Sequence, residues 1–441
     1  MAQNPRNICD LYAYITNLVN HSINSTDFIE KYKNSPTDFT RDSPLIFPIL
    51  FTFLINLLRS SNQDELDKFF KQVNGWEISQ RVVTDSAFSQ ARKKLKHEAF
   101  IDISQRMCQA FYEQYPWKTW LGFRLVAIDG STIKIKGDDY CKHYFGLIDN
   151  GTETPYALAR VSQCYDVINH ISLAANITPN SIGERELALE HIHSIPNLND
   201  LLLFDRGYPG FCFFRQILDS GRQFCARAAV GSWTTITEPF LQSGLKEQIV
   251  EYAPSKEIKA ECNRLGISSA SMKLRLIRIE LKSGETEILI TSLIDEKLYS
   301  YNLFNELYHL RWPVEEAYKT LKCRIQIETF TGKSVLAVKQ DFFARILMFN
   351  LTSMLIAPVD EQAKSKSSET KLDYKVNRTE AFRKMKEFGI LLFFRKSIDK
   401  IIERLHQFFM KNLTAIRLNR SFPRKINKKK TQFAFAYKPI S

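Results

Sequence analysis

The first 118 residues alternate apolar and polar positions at helical spacing. They contain few glycines, and the pattern breaks at Asn34-Ser35-Pro36 and at Asn74-Gly75, where turn-forming residues are typical of loops between helices. The apolar run from Leu45 to Leu58 contains Pro48 and is shorter than the roughly 18 residues that a membrane span needs. We therefore predict a helical domain over residues 1–118, with this run as a buried helix and no membrane partner.

The pattern changes to that of β-strands after Phe123. Strand patterns cover residues 124–128, 131–135, 159–167, 170–177 and 201–204. The first two are separated by Asp129-Gly130, which predicts a β-hairpin, and the last ends at Asp205. A capping box from Ser181 to Glu184 predicts a helix that continues to about His193. Several strands, then a helix and then another strand indicate an α/β fold with a mixed sheet.

Further strand patterns occupy residues 223–230, 273–281 and 287–293, and helical patterns return near Tyr301. The polar segment 361–371 is predicted to be a surface loop, followed by two more helical patterns. The predicted domains are a helical N-terminal domain (1–118), the first part of a sheet core (119–210), a β-rich insertion (211–300), the second part of the core (301–360), and C-terminal helices with a basic tail (361–441).

Charge is concentrated at the end of the chain. The net charge is +13, and residues 401–441 hold ten lysines and arginines against the single acid Glu403. Such a tail favours a polyanion partner, because each cation placed on a phosphate releases counterions. The alternative is a solvated tail. Binding to an anionic lipid surface is disfavoured, because the chain has no strongly amphipathic stretch beside the tail. The N-terminal residues do not show the basic and then apolar pattern of a secretion signal, so we expect a cytoplasmic protein.

A second cationic stretch closes a predicted helix from Thr84 to Leu95. The helix begins with N-cap residues and ends in Arg92, Lys93 and Lys94. These three cations are candidate DNA contacts. The alternative is a surface helix whose terminal cations complement the helix dipole, and this stretch alone favours the alternative.

Four residues near position 315 carry the candidate chemistry. Tyr308, Arg311, Glu315 and Lys322 follow one another at intervals of 3, 4 and 7, so on a continuous helix they share one face. A stripe of this kind makes a poor core and suits a metal-bound phosphate. Pro313 predicts either a kink in this helix or a helix that begins at Pro313.

Asp129 and Asp205 each follow an apolar strand, where α/β sheets tend to place functional sites. Together with Glu315 they could converge as a set of carboxylates. Hard divalent cations prefer such oxygen ligands, and two of them can promote phosphodiester cleavage without cysteine or histidine. The alternative is that each acid, taken alone, is a solvated surface group.

These residues together resemble the DDE transposases of the insertion-sequence family numbered four. The family signature is Tyr, two residues, Arg, three residues, Glu, six residues, Lys, which matches Tyr308 to Lys322 without a gap. Asp129 in Val126-Ala127-Ile128-Asp129-Gly130-Ser131 and Asp205 in Phe204-Asp205-Arg206-Gly207-Tyr208 match the two aspartate blocks. The resemblance implies a ribonuclease-H-like core in which these two aspartates and Glu315 hold two Mg²⁺ ions, with Mn²⁺ expected to substitute.

The resemblance also implies partners and a reaction. Tyr308, Arg311 and Lys322 would contact phosphates of double-stranded DNA, both the inverted-repeat ends and the target. The implied reaction is cut-and-paste movement: nicking, a hairpin intermediate and strand transfer by a protein that is dimeric on DNA and associated with the nucleoid. Alternatives are a catalytically silent DNA-binding descendant and a non-mobile ribonuclease-H-like nuclease acting on RNA or on RNA–DNA hybrids. A glycosidase with paired acids is disfavoured, because Arg311 and Lys322 suit phosphate better than sugar.

Three weaker candidates accompany this site. Relatives stack an insertion-region aromatic on a flipped base, and Trp233 is the candidate here, with buried packing as the alternative. Arg206 and Tyr208 could orient DNA, although the glycines and proline around them also fit turn chemistry. His191 and His193 lie about 200° apart on a helix and are assigned no metal.

Overall fold

The computed structural model describes residues 8–149, 151, 155–229, 231–280, 284–367, 372–394 and 398–416. The basic tail from residue 417 onwards lies outside these described residues. The α-helices are α1 (Ile8–Asn24), α2 (Thr26–Tyr32), α3 (Phe47–Ile55), α4 (Asn62–Asn74), α5 (Asp85–Arg92), α6 (Glu98–Gln114), α7 (Asp139–Phe145), α8 (Glu184–Ser194), α9 (Phe211–Asp219), α10 (Thr234–Gln242), α11 (Lys256–Leu265), α12 (Tyr301–His309), α13 (Pro313–Lys319), α14 (Val335–Ser367), α15 (Arg378–Phe388) and α16 (Ile398–Lys411).

The strands are β1 (Arg124–Ile135), β2 (Leu147–Ile148), β3 (Tyr156–Asp166), β4 (Ile171–Pro179), β5 (Asp200–Phe204), β6 (Gln223–Arg227), β7 (Glu247–Tyr252), β8 (Met272–Glu280), β9 (Thr286–Thr291), β10 (Tyr374–Val376) and β11 (Leu413–Ala415). The first nine form one sheet in the order β2-β3-β1-β5-β6-β9-β8-β7, with β4 also paired to β3. The predicted α/β class with a mixed sheet and flanking helices is confirmed.

β1 differs from its prediction. It is one continuous strand through Asp129 and Gly130, so the predicted hairpin is wrong. The reason is local: Gly130 is not among the residues with positive φ, and the chain has no turn there to reverse its direction. The predicted capping box is also wrong, because Gly183 is the N-cap of α8 and makes no side-chain cap hydrogen bond.

The segment predicted as a β-rich insertion contributes strands to the core sheet. Residues 211–300 contain the helices α9, α10 and α11 as well as β6 to β9. Their strands continue the core sheet, because β6 pairs parallel with β5 and antiparallel with β9. Strand patterns alone could not distinguish an added domain from an extension of the same sheet.

The described residues belong to two compact units, which differ from the five predicted domains. The helical unit takes its residues from the ranges Met1–Pro116, Ile135–Lys142 and Thr320–Ser441. The sheet unit takes them from Trp117–Lys134 and His143–Lys319. The predicted segment 301–360 is therefore divided after Lys319.

The core of the helical unit forms around α14, which packs on α3, α6, α15 and α16. Its segment Val335–Lys364 is long and apolar enough to cross a membrane, but 94% of its most apolar window is buried inside the protein. The predicted buried helix is confirmed as α3, whose Phe51 stacks on Phe100 with ring centroids 4.6 Å apart.

In the sheet unit, the start of β1 is fixed to the start of β5 by buried charges. Asp200 accepts hydrogen bonds from Arg124 Nε at 2.7 Å and from Arg222 Nε at 3.1 Å, and all three residues are almost fully buried. The two strands run parallel, with Arg124 opposite Asp200 and Ala127 opposite Leu203. This register determines which side chains of the two strands lie side by side.

Candidate active site

Asp129 and Asp205 occupy equivalent places on neighbouring strands. Each lies two residues beyond the last recorded pair of β1 and β5, Ala127 and Leu203. Neighbouring strands are about 4.8 Å apart, and residues two apart point to the same face. The strand register therefore brings the two aspartates side by side, with Asp129 inside β1 and Asp205 directly after β5.

Glu315 reaches the site on a short helix. α12 ends at His309, and α13 begins at Pro313, so Arg311 and Trp312 lie between two helices. Proline suits this first helical position because it has no N–H to leave unpaired. The prediction of one continuous helical face is therefore wrong, and the alternative that a helix begins at Pro313 is confirmed.

Lys322 belongs to a different element from the other signature residues. It lies in a five-residue π-helix, Thr320–Arg324, and is half-buried. This turn is part of the helical unit, whereas Tyr308, Arg311 and Glu315 are part of the sheet unit. Its predicted contact with a DNA phosphate stays a prediction.

Arg311 and Tyr308 are buried and face the carboxylates. Arg311 is 6% exposed, and its Nη2 donates to Glu315 Oε1 at 2.8 Å. The Arg311 guanidinium lies 5.8 Å from the centre of the Tyr308 ring. The Tyr308 hydroxyl in turn donates to Asp205 Oδ1 at 3.4 Å. Their predicted phosphate contacts stay predictions, since in this structure both side chains contact acids.

Electrostatics shows that the three acids act on one another. Burial raises the pKa of Asp129 to about 6, and Arg311 opposes this rise. A hydrogen bond of 2.9 Å from the Gly130 N–H to Asp129 Oδ1 also opposes it. The charges of Glu315 and Asp205 raise the pKa further, which is the behaviour of carboxylates gathered at one place.

Three residues that the sequence interpretation missed also surround the acids. Arg227 Nε lies 3.9 Å from Asp205 Oδ1, and its guanidinium is shared with Glu287. The Tyr318 hydroxyl donates to the backbone carbonyl of Asp129 at 2.8 Å. Glu184 lies against Gly130, where a β-carbon would come within 2.9 Å of Glu184 Cδ. Only for Tyr318 could the sequence give a sign, because it follows Glu315 by three residues on one helix.

The two weaker candidates near Asp205 differ in their exposure to solvent. Arg206 is exposed, so it remains available as a DNA contact. Tyr208 is 2% exposed and packs on Phe204 with ring centroids 5.2 Å apart, and its predicted DNA contact stays a prediction. The turn after β5 directs its ring into the core.

Trp233 is half-buried at the N-cap of α10. Its ring packs on Tyr252, with centroids 4.5 Å apart, and on Phe214, with centroids 5.4 Å apart. The packing alternative therefore describes its contacts in this structure. Stacking on a flipped base stays a prediction. His191, assigned no metal, is buried beside Ser162 Oγ at 3.0 Å, and burial lowers its pKa to about 4.

The three cations at the end of α5 differ in their exposure to solvent. Arg92 is 5% exposed and pairs with Asp341 at 3.0 Å in this structure, and its predicted DNA contact stays a prediction. Lys93 is exposed and Lys94 is half-buried. Local periodicity could not show this, because the acid that pairs with Arg92 lies 249 residues away along the chain.

The donor chemistry of the acids fits a divalent cation. Asp129, Asp205 and Glu315 supply the hard carboxylate oxygens that Mg²⁺ prefers. Burial raises the pKa of Asp129, and the charges of Glu315 and Asp205 add to this rise. Among the described residues, no three His, Cys, Asp or Glu side chains stand close enough to hold one ion as placed. Glu315 is turned toward Arg311 instead.

The chain is similar to known proteins in sequence and in structure. The model of a transposase DDE domain matches residues 120–351. The transposase InsG of insertion sequence element IS4 from Escherichia coli strain K12 is 24% identical over 287 residues. That match covers 64% of this chain and 63% of the relative's length. The cryo-EM structure of a piggyBac transposase synaptic complex with hairpin DNA shares 12% identity at a TM-score of 0.41, over 93% of this chain and 78% of that chain.

Proposed function

The chain belongs to the transposase DDE domain family, and we propose that it is a DNA transposase that excises and inserts its own insertion sequence. The proposed chemistry is metal-dependent phosphodiester hydrolysis followed by strand transfer. The finer proposals are cut-and-paste movement through a hairpin, a dimer assembled on inverted-repeat ends and target DNA, and a cytoplasmic, nucleoid-associated protein.

One observation supports this proposal: Asp205 and Glu315, from separate segments of the chain, both interact with Asp129 in β1. Asp129 and Asp205 are brought side by side by the parallel register of β1 and β5. Glu315 belongs to the same electrostatic group, since its charge raises the pKa of Asp129. A fold rarely gathers like charges without a use for them, and perturbed carboxylates cluster at functional sites.

The acids would hold the metal, and Mg²⁺ or Mn²⁺ bound there would activate the attacking oxygen and stabilise the leaving oxygen. Arg311 offsets the mutual repulsion of the acids through its pair with Glu315 at 2.8 Å. Tyr308 keeps the Asp205 carboxylate oriented by its hydrogen bond of 3.4 Å. Burial raises the pKa of Tyr308, so its hydroxyl stays protonated and can donate.

DNA would approach from the exposed side of these residues. Arg206, directly after Asp205, is exposed, and Trp312, directly after Arg311, is 44% exposed. A cation and an aromatic ring are the side chains that bind backbone phosphates and stack on bases. Lys93 and Lys94 of the helical unit are separate candidates for contacts with the transposon ends.

The proposal is tested by incubating the purified chain with a DNA fragment that carries its own gene and flanking sequence, with Mg²⁺, with Mn²⁺ and with EDTA. We expect nicks at two defined positions that flank the gene and that depend on the divalent cation. Resolving the products on denaturing gels reports hairpin ends, because a hairpin migrates as a covalently joined strand of doubled length.

The alternatives give different results in the same assay. A silent DNA-binding descendant would retard the end fragment on a native gel in every buffer and leave it uncut. A nuclease that acts on RNA would cut an RNA–DNA hybrid of the same sequence and spare the duplex. Either result would replace the transposase proposal.

A further inference from the structure

Tyr318 connects the helix of one catalytic acid to the strand of another. It lies on α13, three residues after Glu315, and is 9% exposed. Its hydroxyl donates to the backbone carbonyl of Asp129 in β1 at 2.8 Å. Residues three apart on a helix point to the same side, so the contact brings the α13 face that carries Glu315 against β1 at Asp129.

The accepting carbonyl belongs to a peptide unit with both polar groups in use. The Asp129 carbonyl and the Gly130 N–H are parts of one planar peptide, so they turn together. Tyr318 holds the carbonyl, and the Gly130 N–H donates to the Asp129 carboxylate at 2.9 Å. Fixing the carbonyl therefore fixes the N–H, and the N–H orients the carboxylate.

The surroundings of this peptide leave it little freedom to turn. On the far side, Glu184 lies so close to Gly130 that a β-carbon there would be 3.0 Å from its Oε1. Arg160 Nη1 fixes that carboxylate at 2.9 Å.

We propose that Tyr318 is a positioning residue, which sets the orientation of the Asp129 carboxylate and its placement relative to Glu315. The inference rests on the proposed function, because the two acids are taken as ligands of a catalytic divalent cation. Groups that orient metal ligands typically change metal affinity or activity about 10- to 100-fold when they are removed.

The test removes one hydroxyl. Tyr318→Phe keeps the ring and deletes the donor. The matched control is Tyr301→Phe, which deletes a hydroxyl that donates at 2.7 Å to another backbone carbonyl of the sheet unit, that of Arg278. Both variants lose one tyrosine-to-carbonyl hydrogen bond, so a general effect on folding should be similar and appear as similar shifts in the urea midpoint.

Three readouts are compared with the wild type: Mn²⁺ binding, followed by the electron paramagnetic resonance signal of the free ion, DNA binding in EDTA, and the rate of nicking. We expect Tyr318→Phe to bind Mn²⁺ about 10- to 100-fold more weakly and to nick more slowly by a similar factor. Its DNA binding in EDTA should match that of the wild type. Tyr301→Phe should stay within twofold on every readout.

Unchanged Mn²⁺ affinity in Tyr318→Phe would overturn the positioning role, even if nicking fell, because the loss would then be merely structural. An equal loss in Tyr301→Phe would overturn it too. A wild-type chain that binds Mn²⁺ but never nicks DNA would contradict the proposed function instead, and the Mn²⁺ comparison would still decide the role of Tyr318.

Discussion

Two buried arginines, Arg92 in the helical unit and Arg311 in the sheet unit, meet acids in opposite ways. Arg92 pairs with Asp341 at 3.0 Å, and its other donors reach Gln340 at 2.9 Å and Thr331 at 2.7 Å. Its charge is balanced and its hydrogen bonds are made. Arg311 pairs with Glu315 but also faces the charges of Asp205 and Asp129.

The difference separates a structural charge from a functional one. A buried ion pair whose charges cancel and whose hydrogen bonds are all made stabilises the fold and needs no ligand. Arg311 faces several carboxylates, and one of them, Asp129, has a pKa raised by burial and further by the charges of Glu315 and Asp205. Removing a charge should therefore have opposite effects on stability in the two regions.

The largest effect is expected in the helical unit. Arg92→Ala leaves the Asp341 carboxylate, which is 2% exposed, buried without its cation. Losing one partner of a buried pair costs about 3–5 kcal/mol in the free energy of unfolding. Urea unfolding measures this, with the exposed neighbour variant Lys93→Ala expected to stay within about 0.5 kcal/mol. Equal stabilities for the two variants would remove the contrast with Arg311.

Removing a charge from the acid site should have the opposite sign. The folded pKa of Asp129 is about 6, above its unfolded value of 3.8, so its ionisation destabilises the folded protein as pH rises through this window. Asp129→Asn should therefore stabilise the metal-free protein at pH 7.5 by up to about 3 kcal/mol.

Urea unfolding in EDTA checks this at pH 7.5 and at pH 4.5. The gain should shrink toward pH 4.5, where the wild-type Asp129 is already protonated in the folded state. The control is Glu316→Gln, an exposed acid paired with Lys319. A loss of stability in Asp129→Asn, or a gain that is equal at both pH values, would show that the acids are not held against repulsion.

The sequence could predict the acids of the site because each is marked locally. Asp129 and Asp205 each follow an apolar run, and Glu315 stands in a dense pattern of polar residues. It could not predict the burial of Arg92, because its partner Asp341 is distant along the chain. Helical dipole chemistry and DNA contact both fit a basic helix end, and only tertiary structure distinguishes a paired cation from a free one.

The error in β1 and the open question of how β6–β9 pair have the same origin. A glycine after an aspartate is typical of a turn, yet Gly130 instead makes room for Glu184. Strands in residues 211–300 indicated an insertion, but pairing partners decide whether strands form a new sheet or extend an old one. The break between α12 and α13 followed from Pro313, whereas the π-helix after it had no local sign.

The smallest expected effect concerns DNA binding by the lysines next to Arg92. The double variant Lys93→Ala with Lys94→Ala leaves Arg92 and its buried pair in place. If the two lysines contact DNA phosphates, binding to the transposon end should weaken, and the slope of log affinity against log salt should fall by about 2. Fluorescence anisotropy over a salt series measures the slope, and stability should not change. An unchanged slope would assign these lysines to the surface of the helix alone.

The central claim is that Glu315 belongs with Asp129 and Asp205, and it is tested most directly by two neighbouring substitutions. Glu315→Gln and Glu316→Gln each remove one charge from the same turn of α13, but only Glu315 interacts with Asp129. In the Mg²⁺-dependent nicking assay, we expect Glu315→Gln to abolish cleavage while DNA binding remains, and Glu316→Gln to cleave like the wild type. Cleavage that persists in Glu315→Gln, or that is lost in Glu316→Gln instead, would contradict the site described here.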